Sequence, residues 1–140
     1  MSKYHVVRPF KVAILTVLLL AGCSDTTVTF KGKVYYGSES SGGGILVHGA
    51  LSGAKVKEVD HTTVTDAASD GSYVLKIEVP RVMGYSRSES YTLEAWGDVP
   101  TSYNPSVTTT ANERISVNAR PGDTVSARNF LLYRHDEETD

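Results

Sequence analysis

The stretch VTFKGKVYY, residues 28–36, decides the fold class of this 140-residue chain. Its apolar side chains stand on alternate positions, which is the pattern of a β-strand with one buried face. The side predicted to face the core carries Val28, Phe30, Gly32, Val34 and Tyr36, and the other side carries Thr29, Lys31, Lys33 and Tyr35. The folded part of the chain is therefore expected to begin with a strand.

Three later stretches repeat this alternation. The residues predicted to point inward are Tyr73, Leu75, Ile77 and Val79 in the first, Tyr91, Leu93 and Ala95 in the second, and Ile115, Val117 and Ala119 in the third. The first of them follows Asp70-Gly71, a pair favoured in hairpin turns because glycine tolerates positive φ. No amphipathic helix of useful length is found, so the periodicity predicts an all-β domain.

Weaker strands and loops complete the predicted order. Shorter strand candidates are residues 44–48, 54–59, 62–65 and 124–132, and predicted loops are residues 37–43, 80–89 and 97–112. In the last candidate the apolar parity changes after Ala127, which predicts a bulge near Arg128 or Asn129. About seven short strands separated by Gly, Pro, Ser and Asn turns predict a seven-stranded Greek-key β-sandwich.

Short motifs along these strands carry a family resemblance. They are Gly32-Lys33-Val34, Leu51-Ser52-Gly53-Ala54-Lys55-Val56, Thr65-Asp66 followed by Gly71-Ser72-Tyr73-Val74-Leu75, and Asn129-Phe130-Leu131-Leu132. Together they resemble the carboxypeptidase regulatory-like domain, which implies a transthyretin-like sandwich over nearly the whole chain after Cys23. The chain departs from that pattern at residues 37–50 and 66–71, which are longer than is usual in the family.

The N-terminal segment has the order of an export signal. Basic residues come first, without an acidic residue among them, and an apolar run then ends at Leu20-Ala21-Gly22-Cys23. The run is too short for a membrane span, which needs about 18 apolar residues. Leu-Ala-Gly-Cys resembles the lipobox of bacterial lipoproteins, which implies cleavage before Cys23 and lipidation of its thiol. The alternative is an unmodified cysteine behind an ordinary signal.

Composition limits the classes of function. Removal of residues 1–22 takes away three of 14 basic residues and none of 16 acidic ones, which leaves a net charge of −5. This charge disfavours nucleic acid as a partner and does not attract anionic lipid. Cys23 is the only cysteine, so lipidation would leave no disulfide or thiolate metal site. The predicted organisation is a signal peptide at 1–22, a lipidated cysteine and tether at 23–27, one sandwich at 28–133 and an acidic tail at 134–140.

Few residues of the chain are candidates for catalysis or metal binding. His61 beside Asp60 is a candidate metal ligand, but neighbours in an extended strand point to opposite faces, which favours a solvated turn. Serine is plentiful without a Gly-x-Ser-x-Gly elbow. The stretch Tyr133-Arg134-His135-Asp136 resembles the Tyr-Arg-Gly-Ser ending of transthyretin-like hydroxyisourate hydrolases in its first two residues only. We therefore expect no catalytic residues, metal or cofactor, with hydrolysis by His48, Arg134 and His135 as the alternative.

Trp96 is the strongest candidate for a binding residue. The alternation of its strand places it on the outer face, near a predicted loop that contains Tyr103. Exposed aromatic side chains supply much of the energy in protein and carbohydrate contacts. Trp96, Tyr103 and Tyr85 are therefore predicted to form a binding patch. The alternative is a bulge that turns Trp96 into the core.

The predicted anchor constrains how the domain is presented. Residues 24–27 form a tether of roughly 14 Å, which would hold the sandwich close to the bilayer with residues 37–43 at its far end. Ser24 resembles the residue found after the cysteine in outer-membrane lipoproteins. The sequence thus predicts an outer-membrane lipoprotein whose sandwich binds or scaffolds an envelope protein or glycan. A surface adhesin or structural component is a further alternative.

Overall fold

A computed structural model describes residues 26–80, 87–100 and 108–134, apart from the side chains of Thr108 and Arg134. These ranges contain strands and turns and no helix, which confirms the predicted all-β class. Within them there are nine strands, where the sequence predicts about seven. The strands are β1 Thr26–Glu39, β2 Ile45–Ala50, β3 Lys55–Glu58, β4 Val64–Asp66, β5 Ser72–Val79, β6 Glu89–Pro100, β7 Thr108–Ala119, β8 Thr124–Ser126 and β9 Phe130–Arg134.

The long strand β1 is the centre of the first sheet. Its residues 29–31 pair with both β5 and β8, and its residues 35–38 pair with both β2 and β9. Since a strand has two edges, β5 and β8 lie on opposite sides of β1, and so do β2 and β9. β2 and β5 run antiparallel to β1, whereas β8 and β9 run parallel to it. The second sheet is antiparallel, in the order β4-β3-β6-β7.

The two sheets enclose one apolar core, which makes the arrangement a sandwich. Phe30 of β1 contacts Tyr91 of β6 edge to face, with 5.4 Å between the ring centroids. Tyr73 of β5 packs against Phe130 of β9 at 5.9 Å between centroids. The inward positions predicted for β1, β5, β6 and β7 are buried, as expected, with a few half-buried exceptions. Those exceptions are Gly32, Tyr36 and Val117.

The C-terminal segment contains the predicted irregularity. Residues 127–129 separate the pairing of β8 from that of β9, while only residues 32–33 of β1 lie opposite them. The extra residue reverses the parity, so that Phe130 points into the core and is fully buried. In the gap the backbone N–H of Lys33 donates to the side-chain oxygen of Asn129 at 3.2 Å. The bulge predicted at this point is confirmed.

Two of the predicted loops are wrong for much of their length. β1 continues through residues 37–39 and turns back into β2 through residues 40–44. β6 and β7 stay paired out to Pro100 and Thr108. Glycine, serine and proline favour loops by composition, but pairing with a neighbouring strand overrides this local preference. Of the third predicted loop, residues 81–86 lie outside the described ranges.

The Asp70-Gly71 pair forms the predicted turn but not the predicted hairpin. Gly71 has a φ of 77°, its N–H donates to the Ala68 carbonyl at 2.9 Å, and the Ala68 N–H donates to the Ser72 carbonyl at 2.8 Å. The Asp70 carboxylate accepts hydrogen bonds from the Ser72 hydroxyl and N–H, which lowers the pKa of Asp70. This turn joins β4 of one sheet to β5 of the other, so it carries the chain across the sandwich.

The Tyr73 hydroxyl makes folding sensitive to alkaline pH. It is buried with no hydrogen-bond partner among the described residues, and desolvation raises the pKa of Tyr73 to about 12. A residue that ionises near pH 10 when unfolded and near 12 when folded stabilises the fold fully below pH 10, and that contribution is lost as pH rises from 10 to 12. By pH 11 we expect a loss of about 1.4 kcal/mol from this residue.

Urea unfolding at pH 8 and pH 11, followed by the fluorescence of Trp96, measures this loss. The Tyr73→Phe variant should be at least as stable as the parent at pH 8, because it removes a buried hydroxyl that has no described partner. It should also lose less stability between the two pH values. Burial raises the pKa of Tyr91 as well, so the parent and the variant share that residue's contribution. Equal losses in the two proteins would contradict the prediction.

Candidate functional site

The two ends of the sandwich differ in the residues they present. The near end is where β1 begins and β5 ends, paired at Thr26 and Val79, and where β6 begins and β7 ends, paired at Glu89 and Ala119. The far end is where β1 and β2 turn at residues 40–44, where the β6–β7 ladder ends at Pro100 and Thr108, and where β9 ends at Arg134.

Trp96 lies on the outer face of the second sheet, toward its far end. In register it stands between Lys55 of β3 and Asn112 of β7, and its strand neighbour Ala95 points into the core. The β6–β7 pairing runs without a break through this point, so no bulge turns the indole inward. The outward orientation predicted for Trp96 is correct, and the alternative is wrong. The side chain is half-buried because Lys57 lies over its ring, with the ammonium 5.8 Å from the centroid.

A shallow groove of about 400 Å³ runs beside the Trp96 ring. Its lining residues are Lys57, Glu94, Trp96, Thr110, Ala111 and Asn112. Glu94 contacts Lys57 at 3.6 Å and accepts a hydrogen bond from Arg114 at 3.0 Å. The groove thus combines an aromatic ring with charged and amide side chains, some of which donate hydrogen bonds and some of which accept them. We call this surface, residues 57, 94, 96, 110, 112 and 114, the Trp96 face.

The other two members of the predicted binding patch, Tyr103 and Tyr85, lie outside the described residues. The described residues nearest to them in sequence are at opposite ends of the sandwich. Pro100, before Tyr103, is at the far end, and Arg87, after Tyr85, is two residues from the near end of β6. Of the predicted patch, the structure therefore describes Trp96 alone.

Removal of the Trp96 side chain should cost little stability. Since the ring lies on the outer face, we expect Trp96→Ala to lower the free energy of unfolding by less than about 1.5 kcal/mol. Leu93→Ala, three residues away on the buried face, is the matched control and should cost about 2 to 5 kcal/mol. Urea unfolding followed by circular dichroism compares them without relying on tryptophan fluorescence. Similar losses for both variants would mean that Trp96 serves the core.

A buried carboxylate, Glu58, was not predicted from the sequence. It ends β3, is 2% exposed, and accepts hydrogen bonds from the backbone N–H groups of Asp60 at 2.9 Å and Thr92 at 3.3 Å. Its Oε2 lies 2.6 Å from Nδ1 of His61. One sequence feature indicates its burial: Glu58 lies two residues after the apolar Val56, on the same face of the strand, which is an unusual position for a charged residue. Glu58 ties the turn after β3 to β6, so its described contacts are structural.

The described histidines do not converge. His61 lines a depression with Thr27 at the near end, whereas Nε2 of His48 contacts the Ser38 hydroxyl at 2.7 Å at the far end. Thr27 and Ser38 are eleven residues apart on β1, roughly 36 Å in an extended strand. His135 and the side chain of Arg134 lie outside the described part. Asp60, the predicted neighbour of His61 at a metal site, contributes its backbone N–H to Glu58 instead.

The β1–β2 hairpin at the far end presents an apolar surface that the sequence did not predict. Ile45 and Val47 of β2 line a groove of about 430 Å³ together with Tyr35, Leu131 and Tyr133. Glu113 and Arg128 form an ion pair at its rim, with 3.0 Å between Nη2 and Oε1. Local alternation in residues 44–48 is weak, and the exposure of this surface depends on the register that β1 imposes on β2.

Three further observations concern the predicted anchor, membrane-spanning helices and metal ligands. Cys23 lies outside the described residues. Across residues 26–80, 87–100 and 108–134, no helix has the length and apolar character needed to cross a bilayer. In the same ranges no three His, Cys, Asp or Glu side chains are grouped as metal ligands.

Comparisons of the chain with protein-family models, with curated proteins and with solved structures give no match.

Proposed function

We propose that this protein is a lipid-anchored lipoprotein of the bacterial cell envelope, held in the outer membrane, whose sandwich is a non-catalytic binding or scaffolding module. The observation that carries the proposal is Leu20-Ala21-Gly22-Cys23 placed directly before the first strand. A diacylglycerol on the Cys23 thiol and an acyl chain on the new N-terminus would supply more than one hydrocarbon chain. Two or more chains anchor a protein firmly, whereas one does so only marginally.

The position of β1 supports presentation of the domain from a membrane. β1 begins at Thr26, three residues after Cys23, so the anchor would lie within about 10 Å of the near end. β1 then runs roughly 43 Å to Glu39, which puts the hairpin turn at the far end. The near end would therefore face the bilayer, and the far end would face partners in the envelope.

The sandwich belongs, in our proposal, to the transthyretin-like folds with Greek-key connections. The motifs that resemble the carboxypeptidase regulatory-like domain fall at consistent places in the strands. Residues 32–34 lie where the partners of β1 change from β5 and β8 to β2 and β9, and residues 65–66 end β4. The other three motifs, residues 51–56, 71–75 and 129–132, begin before β3, β5 and β9 and run into them. The turn at Asp70-Gly71 joins β4 of one sheet to β5 of the other, as connections of a Greek-key sandwich do.

The Trp96 face is the proposed binding surface of the module. Its half-buried ring offers an apolar area, and Glu94, Asn112 and Arg114 around it offer acceptors and donors, a combination suited to a glycan or to a polar protein surface. Catalysis on this fold is the second candidate, as hydroxyisourate hydrolase-like hydrolysis through Arg134 and the histidines. Of its residues, His48 and the backbone of Arg134 both lie at the far end, where the Ser38 hydroxyl contacts His48 and Ser38 pairs in register with Arg134.

The mass of the mature chain tests the anchor directly. The full chain is produced in a bacterial host with a C-terminal affinity tag, extracted in detergent and measured intact by mass spectrometry. We expect a chain that starts at Cys23 and carries the added mass of a diacylglycerol and an amide-linked acyl chain. The same chain without residues 2–22 stays in the cytoplasm of the host and is the unmodified control. A mature chain without added lipid would overturn the proposal.

A further inference from the structure

The outer edge of β2 has the properties of an open docking edge. Ile45, Leu46 and Val47 expose 42%, 60% and 52% of their surface. Within the described ranges β2 pairs with β1 along one edge and has no strand along the other. Edge strands are ordinarily protected by charged residues or proline, because their free backbone groups pair readily with another strand. Residues 40–52 contain no Asp, Glu, Lys, Arg or Pro.

The hairpin turn fixes which backbone groups of β2 are free. The N–H of Ser40 donates to the Gly44 carbonyl at 2.7 Å, and the Ser40 carbonyl accepts from the Gly43 N–H at 2.9 Å, so the Gly44 carbonyl points toward β1. Hydrogen-bonded pairs alternate with non-bonded pairs in an antiparallel ladder, so the N–H and C=O of Leu46 point toward β1. Those of Ile45 and Val47 point away from β1. The edge therefore offers donors and acceptors at the spacing of a strand.

The side chains beside this edge determine the chemistry of its occupant. Ile45 and Val47 already extend an apolar groove formed with Tyr35 and Leu131. A strand added next to β2 would continue that face with its own alternate side chains. Because residues 40–52 hold no charge to neutralise a partner's charge, a charged residue buried against β2 would be unpaired and costly. The edge thus favours an uncharged strand.

The direction of β1 argues against a second copy of this chain as the occupant. Two identical edge strands pair antiparallel about a twofold axis, which would turn β1 of one copy opposite to β1 of the other. The two near ends, and with them the two Cys23 anchors, would then face away from each other. Two copies held in one leaflet cannot adopt this arrangement. This step rests on the proposed function.

We propose that the free edge of β2 is a docking site for one extended segment of another envelope protein. The segment adds to the first sheet as a strand of about five or six residues, the length of β2, and carries no charge there. Its alternate β-branched or aromatic side chains cover Ile45 and Val47. The interaction is strand addition, in which backbone hydrogen bonds give affinity and the apolar face gives selectivity.

Photocrosslinking in intact cells tests this docking site with the full, lipidated chain. A photoreactive benzophenone amino acid replaces Ile45 in one variant and Val74 in a matched control. Val74 is exposed to a similar degree, at 46%, but lies on β5 opposite Lys31 and beside Lys76. The crosslinked peptide is identified by mass spectrometry. We expect an adduct from Ile45 and not from Val74, in which the captured peptide comes from a different protein and contains an uncharged run of this length.

A second substitution tests the backbone pairing. Val47→Pro removes an outward N–H and leaves the described pairing of β1 with β2, so it should weaken the adduct about tenfold while preserving membrane attachment. Val47→Lys, which keeps the N–H and adds an edge-protecting charge, gives the same loss if the proline variant fails to fold. An adduct with a second copy of this chain, a charged captured segment, equal labelling from Val74, or no adduct overturns the docking site. Loss of the adduct from a Val47 variant that stays in the membrane fraction supports the docking site, and it is distinct from a loss of the anchor.

Discussion

Cys23→Ser is expected to move the protein from the membrane fraction into the supernatant. The reason is that, in the proposed function, lipid on the Cys23 thiol is the only attachment. The chain after residue 22 carries a net charge of −5, which gives no attraction to anionic headgroups. A serine hydroxyl does not take the diacylglycerol, and each hydrocarbon chain lost removes about 0.8 kcal/mol of membrane affinity per buried methylene. Fractionation of cells by ultracentrifugation, followed by immunoblotting, measures the change.

Ser24→Ala is the matched control for this experiment. It alters the neighbouring residue by a similar volume and leaves the thiol, so the variant should stay in the membrane pellet. The pellet is washed at high salt, which removes proteins held by charge alone. If Cys23→Ser were cut to the same mature length as Ser24→Ala and still remained in the washed pellet, the anchor would have to be something other than the thiol, and the lipoprotein proposal would fail.

Phe130→Ala is expected to be among the most destabilising single changes in the described core. Phe130 is fully buried, pairs in register with Val34 of β1 and packs its ring against Tyr73. Truncation of a buried phenylalanine removes its transfer free energy and leaves a cavity, at a cost of about 3 to 5 kcal/mol. A domain of this size has a total stability of about 5 to 15 kcal/mol, so the change would remove a large part of it.

Leu131→Ala on the same strand provides the comparison for Phe130→Ala. Leu131 points to the outer face and is half-buried, so its loss should cost about 1 kcal/mol. Urea unfolding of the detergent-extracted chain, followed by Trp96 fluorescence, gives both values. Equal costs for the two variants would mean that the reversal of parity at residues 127–129 does not place Phe130 in the core.

Strand positions were predictable from the sequence because alternation is a local property. The buried parity of β1, β5 and β6 follows directly from residues two apart, and the parity change before Phe130 signalled the inserted residue. The pairing of strands was not predictable in the same way. β1 is joined to β8 and β9 across about 95 residues of sequence, and no local pattern specifies such a partner.

Some features of the candidate sites follow from local alternation, and others depend on the tertiary arrangement. The outward position of Trp96 follows from its parity with Glu94, so the sequence was sufficient for it. The burial of Glu58 depends on the backbone N–H of Thr92, which β6 brings from 34 residues away. The exposure of Ile45 and Val47 depends on the absence, among the described residues, of a strand beside β2. Both features arise from tertiary arrangement, which periodicity does not contain.

The central place of β1 has a consequence for how the domain acquires its structure. β1 comes first along the sandwich, and two of its four partners, β8 and β9, come last. The backbone groups of β1 on the edge that pairs with β8 and β9 therefore have no strand partner until the end of the chain is available. Folding that waits for contacts this distant is slow, since a long loop must close before they form. We therefore expect the sandwich to close only when its final strands are available, and, if the chain is exported as proposed, to stay extended until then.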